Sequence, residues 1–192
     1  SGMCWSNIAA TLETVKRFYT ENGLPIDVDP SYYPESDWMQ TDLYESERTA
    51  KLHLKREPRF YAWISFHNGW YEMQKDDAKR IRTAYRKDDT YGIGSRDRDY
   101  SMTGYLMKKS VSPSYNSMAG LTQFPFPIVR LSELYLVIAE AAAESGDLGT
   151  AKTYLNKVRT KSGIPTVEES WQKVPGVTLN QEKLVEIIRQ ER

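Results

Sequence analysis

The chain has 192 residues, 40% of them hydrophobic, enough for one sizeable core with a smaller appendage. Its 26 lysines and arginines equal its 26 aspartates and glutamates, a balance that argues against a nucleic-acid binder relying on phosphate neutralisation. No apolar run approaches the roughly 20 residues that cross a bilayer, the first residues carry no signal-peptide pattern, and the single cysteine, Cys4, permits no internal disulfide.

In chain order, TLETVKRFYTENG puts Leu12, Val15 and Tyr19 on one face and runs to Asn22-Gly23, which predicts a short amphipathic helix with a glycine stop. Leu24 to Gln40, with three prolines and aspartates at 27, 29 and 37, reads as an irregular loop. A calcium loop starting at Asp27 would need glycine at its sixth position and glutamate at its twelfth, where the chain has Tyr32 and Trp38. Thr41 to Lys55 is polar with weak helical periodicity. Phe60 to Phe66 is rich in aromatic and β-branched residues, which predicts a strand. Asn68-Gly69 follows, with Trp70 and Tyr71 beyond it, the strongest short-range signal for a β-hairpin. In an extended strand Phe60, Ala62, Ile64 and Phe66 share one face and Tyr61, Trp63 and Ser65 the other.

Residues 76–99 are crowded with charge of both signs and read as a self-compensating solvated surface rather than a basic patch. Tyr91-Gly92-Ile93-Gly94 lacks the third glycine and the lysine of a phosphate loop. Thr103 to Lys109 reads as a short extended segment, and Ser110 to Gln123 as a loop.

Arg130 to Pro165 is the scaffold. Leu131, Leu134, Tyr135, Ile138, Ala139 and Ala142 recur at helical spacing, Ser145-Gly146-Asp147 breaks the pattern, and Leu148, Ala151, Leu155 and Val158 form a second stripe that Gly163 and Pro165 end. Two antiparallel helices with alanines between them fit one tetratricopeptide-like unit. A connection follows to Thr178, which has capping-box spacing with Gln181 and opens a third helix with Leu184, Ile187 and Ile188 as its stripe. That helix reaches Glu191-Arg192 without a stop signal, so the chain reads as part of a longer protein. The expected fold is mainly α, tetratricopeptide-like helical hairpins with a loop-rich part and a small β-hairpin.

Catalytic patterns are poor. His53 and His67 have no cysteine or helical partner at zinc-site spacing, and neither HExxH nor GxSxG occurs. Carboxylates are plentiful, and a glycosidase needs only a suitably spaced pair. What stands out is 13 tyrosines and 5 tryptophans in a chain without net charge. Rings with a polar edge suit uncharged polar ligands as well as cores.

Several segments in order resemble the SusD/RagB family of outer-membrane lipoproteins: FYTENGLPIDVDP, REPRFYAWISFHNGW, TGYLMKKSVSP, PFPIVRLSELYLVIAEAAAESGD with AKTYLNKVRTKSGIP, and LVEIIRQER. They cover most of the chain from Phe18 to Arg192. The resemblance implies one SusD-like region over 1–192, loop-rich over 1–125 and helical over 126–192. It also implies a non-catalytic, cofactor-free protein of the cell surface that captures glycan and passes it to a SusC-like TonB-dependent transporter. Members are usually more than twice this long and are held at the membrane by a lipid anchor, which the resemblance places outside this stretch. Family ligand residues vary, so the ring candidates come from the chain itself: Trp63, Trp70 and Tyr71 near the expected hairpin, and Trp38 in the proline-rich loop. Core packing is the competing role for each. A peptide-binding helical scaffold and a glycoside hydrolase are the alternative functions.

Overall fold

The computed structural model describes residues 9–71, 79–83, 101–109 and 127–192. Cys4, the glycine-containing stretch 91–94, the loop 110–123 and all of the charged run except 79–83 lie outside the described residues. The chain divides into two compact units, one made of residues 1–18 and 33–126, the other of residues 19–32 and 127–192.

The first unit opens with α1 (Leu12–Arg17), capped by the Thr11 hydroxyl, which accepts from the Thr14 amide. The helix ends at Phe18, one turn short of the expected Asn22-Gly23 stop. The Arg56 guanidinium supplies the reason: it donates to the Val15 and Phe18 carbonyls at 2.6 Å each, taking over acceptors that a further turn would have used.

Next comes an antiparallel hairpin, β1 (Thr41–Tyr44) with β2 (Glu47–Ala50), in a stretch where sequence spacing suggested a weak helix. Its two-residue turn is Glu45-Ser46, and only Glu45 has positive φ (56°). That is the sign pattern of a type II′ turn, which normally takes glycine at the first position. With glutamate there, the turn carried no readable signal.

The core of this unit is built from Val15, Leu52, Leu54, Phe60, Ile64 and Phe66, all buried. His53 is buried with them. Its Nδ1 lies 2.7 Å from the Thr49 hydroxyl and its Nε2 2.9 Å from the Tyr105 hydroxyl, so both ring nitrogens are engaged.

Residues 60–66 do not form the expected strand. Pro58–Trp63 is a helix, α2, followed by a two-residue strand β3 (Ile64–Ser65). Pro58 at the first helical position has φ already set for a helix and lacks an amide that would have had no partner there. That local signal outweighs the β-propensity of the aromatic run. Nor does Asn68-Gly69 join two neighbouring strands. Asn68 adopts a left-handed φ of 62°, but the turn is closed by the Gly69 amide on the Phe66 carbonyl (2.9 Å). The strands on either side pair elsewhere. β4 (Trp70–Tyr71) is antiparallel to β5 (Lys79–Arg80), and β3 to β6 (Leu106–Met107), the latter inside the segment expected to be extended. Bonds between Asn68, Gly69 and Ile81 (2.7 and 3.0 Å) continue the β4–β5 pairing.

The second unit holds the helical hairpin, α3 (Leu131–Glu144) and α4 (Leu148–Lys161). Gly146 has φ 85° just past α3, and the Asp147 carboxylate accepts from the Thr150 amide to cap α4, as the sequence led one to expect. Ala151, Leu155 and Val158 are buried on α4. On α3 the inward face is Leu136, Ala139 and Ala143, whereas Leu131, Leu134 and Ile138 are exposed. The expected stripe is therefore rotated: in a helix that is apolar nearly all round, spacing alone does not choose the face, and the alanines permit the closer approach.

The connection after Pro165 contains a helix of its own, α5 (Val167–Trp171), with a reciprocal capping box between Thr166 and Glu169. The third long helix, α6 (Gln181–Glu191), is capped by Asn180 and not by Thr178. Leu184, Ile187 and Ile188 are buried in the same core as Leu24, Leu155 and Trp171. Arg159, fully buried, ties this unit together. It donates to Glu191 (3.1 Å), the Gly23 carbonyl (2.7 Å), the Ser170 hydroxyl (2.7 Å) and the Pro165 carbonyl (2.9 Å). Gly23 has φ 69°, and a Cβ there would collide with the guanidinium, so two separate constraints require glycine. The architecture is mainly α with a tetratricopeptide-like hairpin and a small β-hairpin, the latter at 41–50 and not around Asn68-Gly69.

Candidate ligand-binding site

Four rings were singled out by sequence, and three of them fall on one part of the first unit. Trp38 is not among them. It is 6% exposed and its indole N–H donates to the Tyr33 carbonyl at 2.8 Å, which makes it a core ring with a satisfied polar edge.

Trp63, at the end of α2, and Trp70 and Tyr71, which make up β4, are all half-buried. Lys108 links the first two: its amide donates to the Trp63 carbonyl at 2.8 Å and its ammonium to the Trp70 carbonyl at 3.0 Å. The next residue, Lys109, sets its ammonium 4.2 Å from the Trp63 ring centroid. The other edge of Trp63 meets Phe18 in a T-shaped contact (6.0 Å).

Trp70 has the most polar surroundings. The Arg80 guanidinium, brought opposite by the β4–β5 register, lies 4.4 Å from the indole centroid. Glu45, at the tip of the β1–β2 hairpin, accepts from the indole N–H (3.2 Å) and from Arg80 (2.5 Å). Arg80 also donates to the Asn68 carbonyl at 2.7 Å, so the planar guanidinium is held in a fixed orientation. Tyr44 extends the aromatic surface: its ring lies 5.5 Å from Arg80 and stacks on Tyr61 at 5.7 Å with 10° between planes. The result is an indole with a guanidinium on one face and a carboxylate bonded to its N–H, and an ammonium held at the same residue's backbone carbonyl. Such a surface can stack an apolar ligand face and bond hydroxyls at its rim.

Sequence reading missed Glu45, Arg80 and Lys108. Arg80 sat in a run whose opposite charges looked self-compensating, and Glu45 in a stretch with no hairpin signal. Arg80 reaches Trp70 through the β4–β5 register, Glu45 from the β1–β2 turn, and Lys108 from the end of β6. In the second unit an open groove of about 760 Å³ is lined by Glu144, Asn180, Glu182, Val185, Glu186 and Arg189, among other residues. Among the described residues its lining contains no aromatic ring. Among the described residues no group of histidine, cysteine or carboxylate side chains is arranged to hold a metal ion.

Comparison with known proteins gives a consistent result. The model of the SusD family matches residues 1–192. A solved structure described as selenomethionine BT4246 superposes with a TM-score of 0.78 at 32% identity, covering 98% of this chain and 32% of that one. A second BT4246 structure gives 0.75 and 31%, over 95% of this chain and 31% of that one. A SusD-like protein (BF3747) from Bacteroides fragilis NCTC 9343 gives 0.68 and 29%, over 98% and 33%. The chain thus spans about a third of the length of the structures it matches. No curated protein matches it. With the family model matched from end to end and the helical hairpin in place, the chain belongs to the SusD family.

Proposed function

We propose that this chain is part of a non-catalytic glycan-binding protein of the outer-membrane surface, which captures an oligosaccharide or polysaccharide and delivers it intact to a SusC-like TonB-dependent transporter. The full-length protein would be held there by a lipid anchor. Family membership supports this reading, and the observation that carries it is the Trp70 cluster. A pyranose presents a face of C–H groups that can cover an indole, and its hydroxyls need polar partners of fixed direction at the ring's edge. Arg80 occupies one face of the Trp70 indole, so the sugar stacks on the opposite face, with Trp63 as the ring that extends the platform. Tyr71, next to Trp70 in β4, belongs to the other face of the strand and would serve a ligand only there. Burying about 100 Å² of apolar surface contributes on the order of 2.5 kcal/mol.

The test is affinity electrophoresis through gels containing a panel of soluble polysaccharides. One or more should retard the protein, and Trp70→Ala should weaken that retardation by about tenfold or more, the equivalent of ~1.4 kcal/mol. Trp38→Phe, at a core ring, should leave it unchanged. Failure of every polysaccharide to retard the protein would sink the glycan reading, and release of sugar products would replace it with a hydrolase.

A further inference from the structure

We propose that Glu45 is a positioning residue for the ligand platform: a turn residue kept for its side chain at the expense of its backbone. The inference rests on the reading of Trp70 as the stacking ring. Glu45 sits at φ 56° in the first position of a two-residue hairpin turn. Glycine adopts that conformation freely and asparagine tolerates it, whereas glutamate is disfavoured. Backbone strain of this kind persists where the surroundings hold it, and it often marks a working site. The carboxylate supplies the reason here. It accepts from the Trp70 indole N–H at 3.2 Å and from Arg80 at 2.5 Å, while Arg80 lies against the same indole at 4.4 Å.

The three side chains therefore form a closed triangle. Glu45 fixes the indole by its edge and the guanidinium by its end, and the guanidinium fixes the indole by its face. The pieces come from three separate stretches, the β1–β2 turn, β4 and β5. The Glu45 side chain is 58% exposed and that of Arg80 15%, so the carboxylate closes the triangle on its open side. Ordering a ring before the ligand arrives removes part of the entropic cost of binding it. Without the carboxylate the indole loses its hydrogen-bonded edge and Arg80 keeps only its bond to the Asn68 carbonyl, although no atom of the stacking face has been removed.

A purely structural role for Glu45 and the positioning role make opposite demands on Glu45→Gly. Glycine relieves the strained turn, so the melting temperature should stay within a few degrees of the parent or rise, while polysaccharide affinity should fall about fivefold. Glu45→Gln keeps an acceptor for the indole N–H and should recover part of that affinity. A third readout is the Trp70 indole N–H resonance in protein labelled with ¹⁵N-tryptophan, assigned by its loss in Trp70→Phe. It should move in both Glu45 variants before any ligand is added. If Trp70→Ala weakens binding but Glu45→Gly does not, the positioning role is overturned and the glycan platform stands. If Glu45→Gly lowers stability and affinity together, Glu45 is a structural turn residue and the inference is also overturned. If Trp70→Ala changes nothing, the platform itself has been placed wrongly, and the positioning role goes with it.

Discussion

His53 shows how burial sets the chemistry of a single side chain in the first unit. Its imidazole stacks near Phe60 and Phe66, and both ring nitrogens are hydrogen-bonded. Burial disfavours the imidazolium, the Arg56 charge and His67 add to that, and the pKa is pushed down to about 3. Above pH 6.5 the imidazole is neutral in the folded and unfolded chain alike, and the group has no effect on stability. As pH falls below 6.5 the unfolded chain gains a proton that the folded chain refuses, so stability is lost progressively toward pH 3. The slope is at most ~1.4 kcal/mol per pH unit. Urea unfolding between pH 6.5 and 5, above the usual carboxylate range, should show this loss in the parent and a flatter profile in His53→Gln. Equal slopes would mean that His53 takes up its proton in the folded state. A surface or hydrogen-bonded structural histidine was the sequence reading, but neither the burial nor the partners were legible. The sequence shows a histidine in a polar stretch, and the tyrosine that bonds its Nε2 is 52 positions away.

Among the elements, α3 separates what periodicity can and cannot decide. Its existence, its length and its Gly146 stop were readable from spacing and turn chemistry, and so was the capped start of α4. Its orientation was not, because a helix reading LYLVIAEAAA offers an apolar stripe in several directions. The structure turns Leu136, Ala139 and Ala143 inward and leaves Leu134 half exposed, at 50%. The two orientations predict different mutational costs. Ala143→Leu should destabilise the protein by about 1–3 kcal/mol through overpacking, whereas Leu134→Ala should cost less than ~0.5 kcal/mol. Thermal unfolding of both variants decides it, since the orientation inferred from spacing gives the reverse order. The aromatic run at 60–66 failed for a different reason. β-propensity describes how side chains fit a pleated, half-buried surface and not a backbone preference, and Glu57-Pro58 had already marked a helix start. At Asn68 the left-handed residue was readable but its partner strand was not, because β5 lies in a charged stretch with no strand signal. The candidate site shared that fate. Its rings could be named from composition, while the residues that orient them depend on contacts ten or more positions apart.

At the scale of the whole molecule, the helical unit is discontinuous in sequence. Residues 19–32 belong to it although more than ninety residues separate them from Pro127. Leu24 is fully buried among Leu155, Trp171 and Leu184, and the Gly23 carbonyl accepts from the buried Arg159 guanidinium. A division drawn near residue 126 therefore removes one core side chain and one acceptor of a buried charge. Losing a buried leucine typically costs 2–5 kcal/mol, roughly, and leaving a buried donor unpaired about 1–3 kcal/mol more. A fragment of residues 127–192 should consequently be less stable by at least ~3 kcal/mol than one in which 19–32 is joined to it by a flexible linker, as read by urea unfolding followed by circular dichroism. The helices themselves are continuous in 131–191, so a contiguous helical array would give two equally stable fragments. In that case the 19–32 segment would be decoration on a unit that folds without it, and Gly23 should then accept alanine at the cost of its left-handed φ alone. The collision of a Cβ with Arg159 argues for the integrated arrangement, in which the early segment completes the helical core.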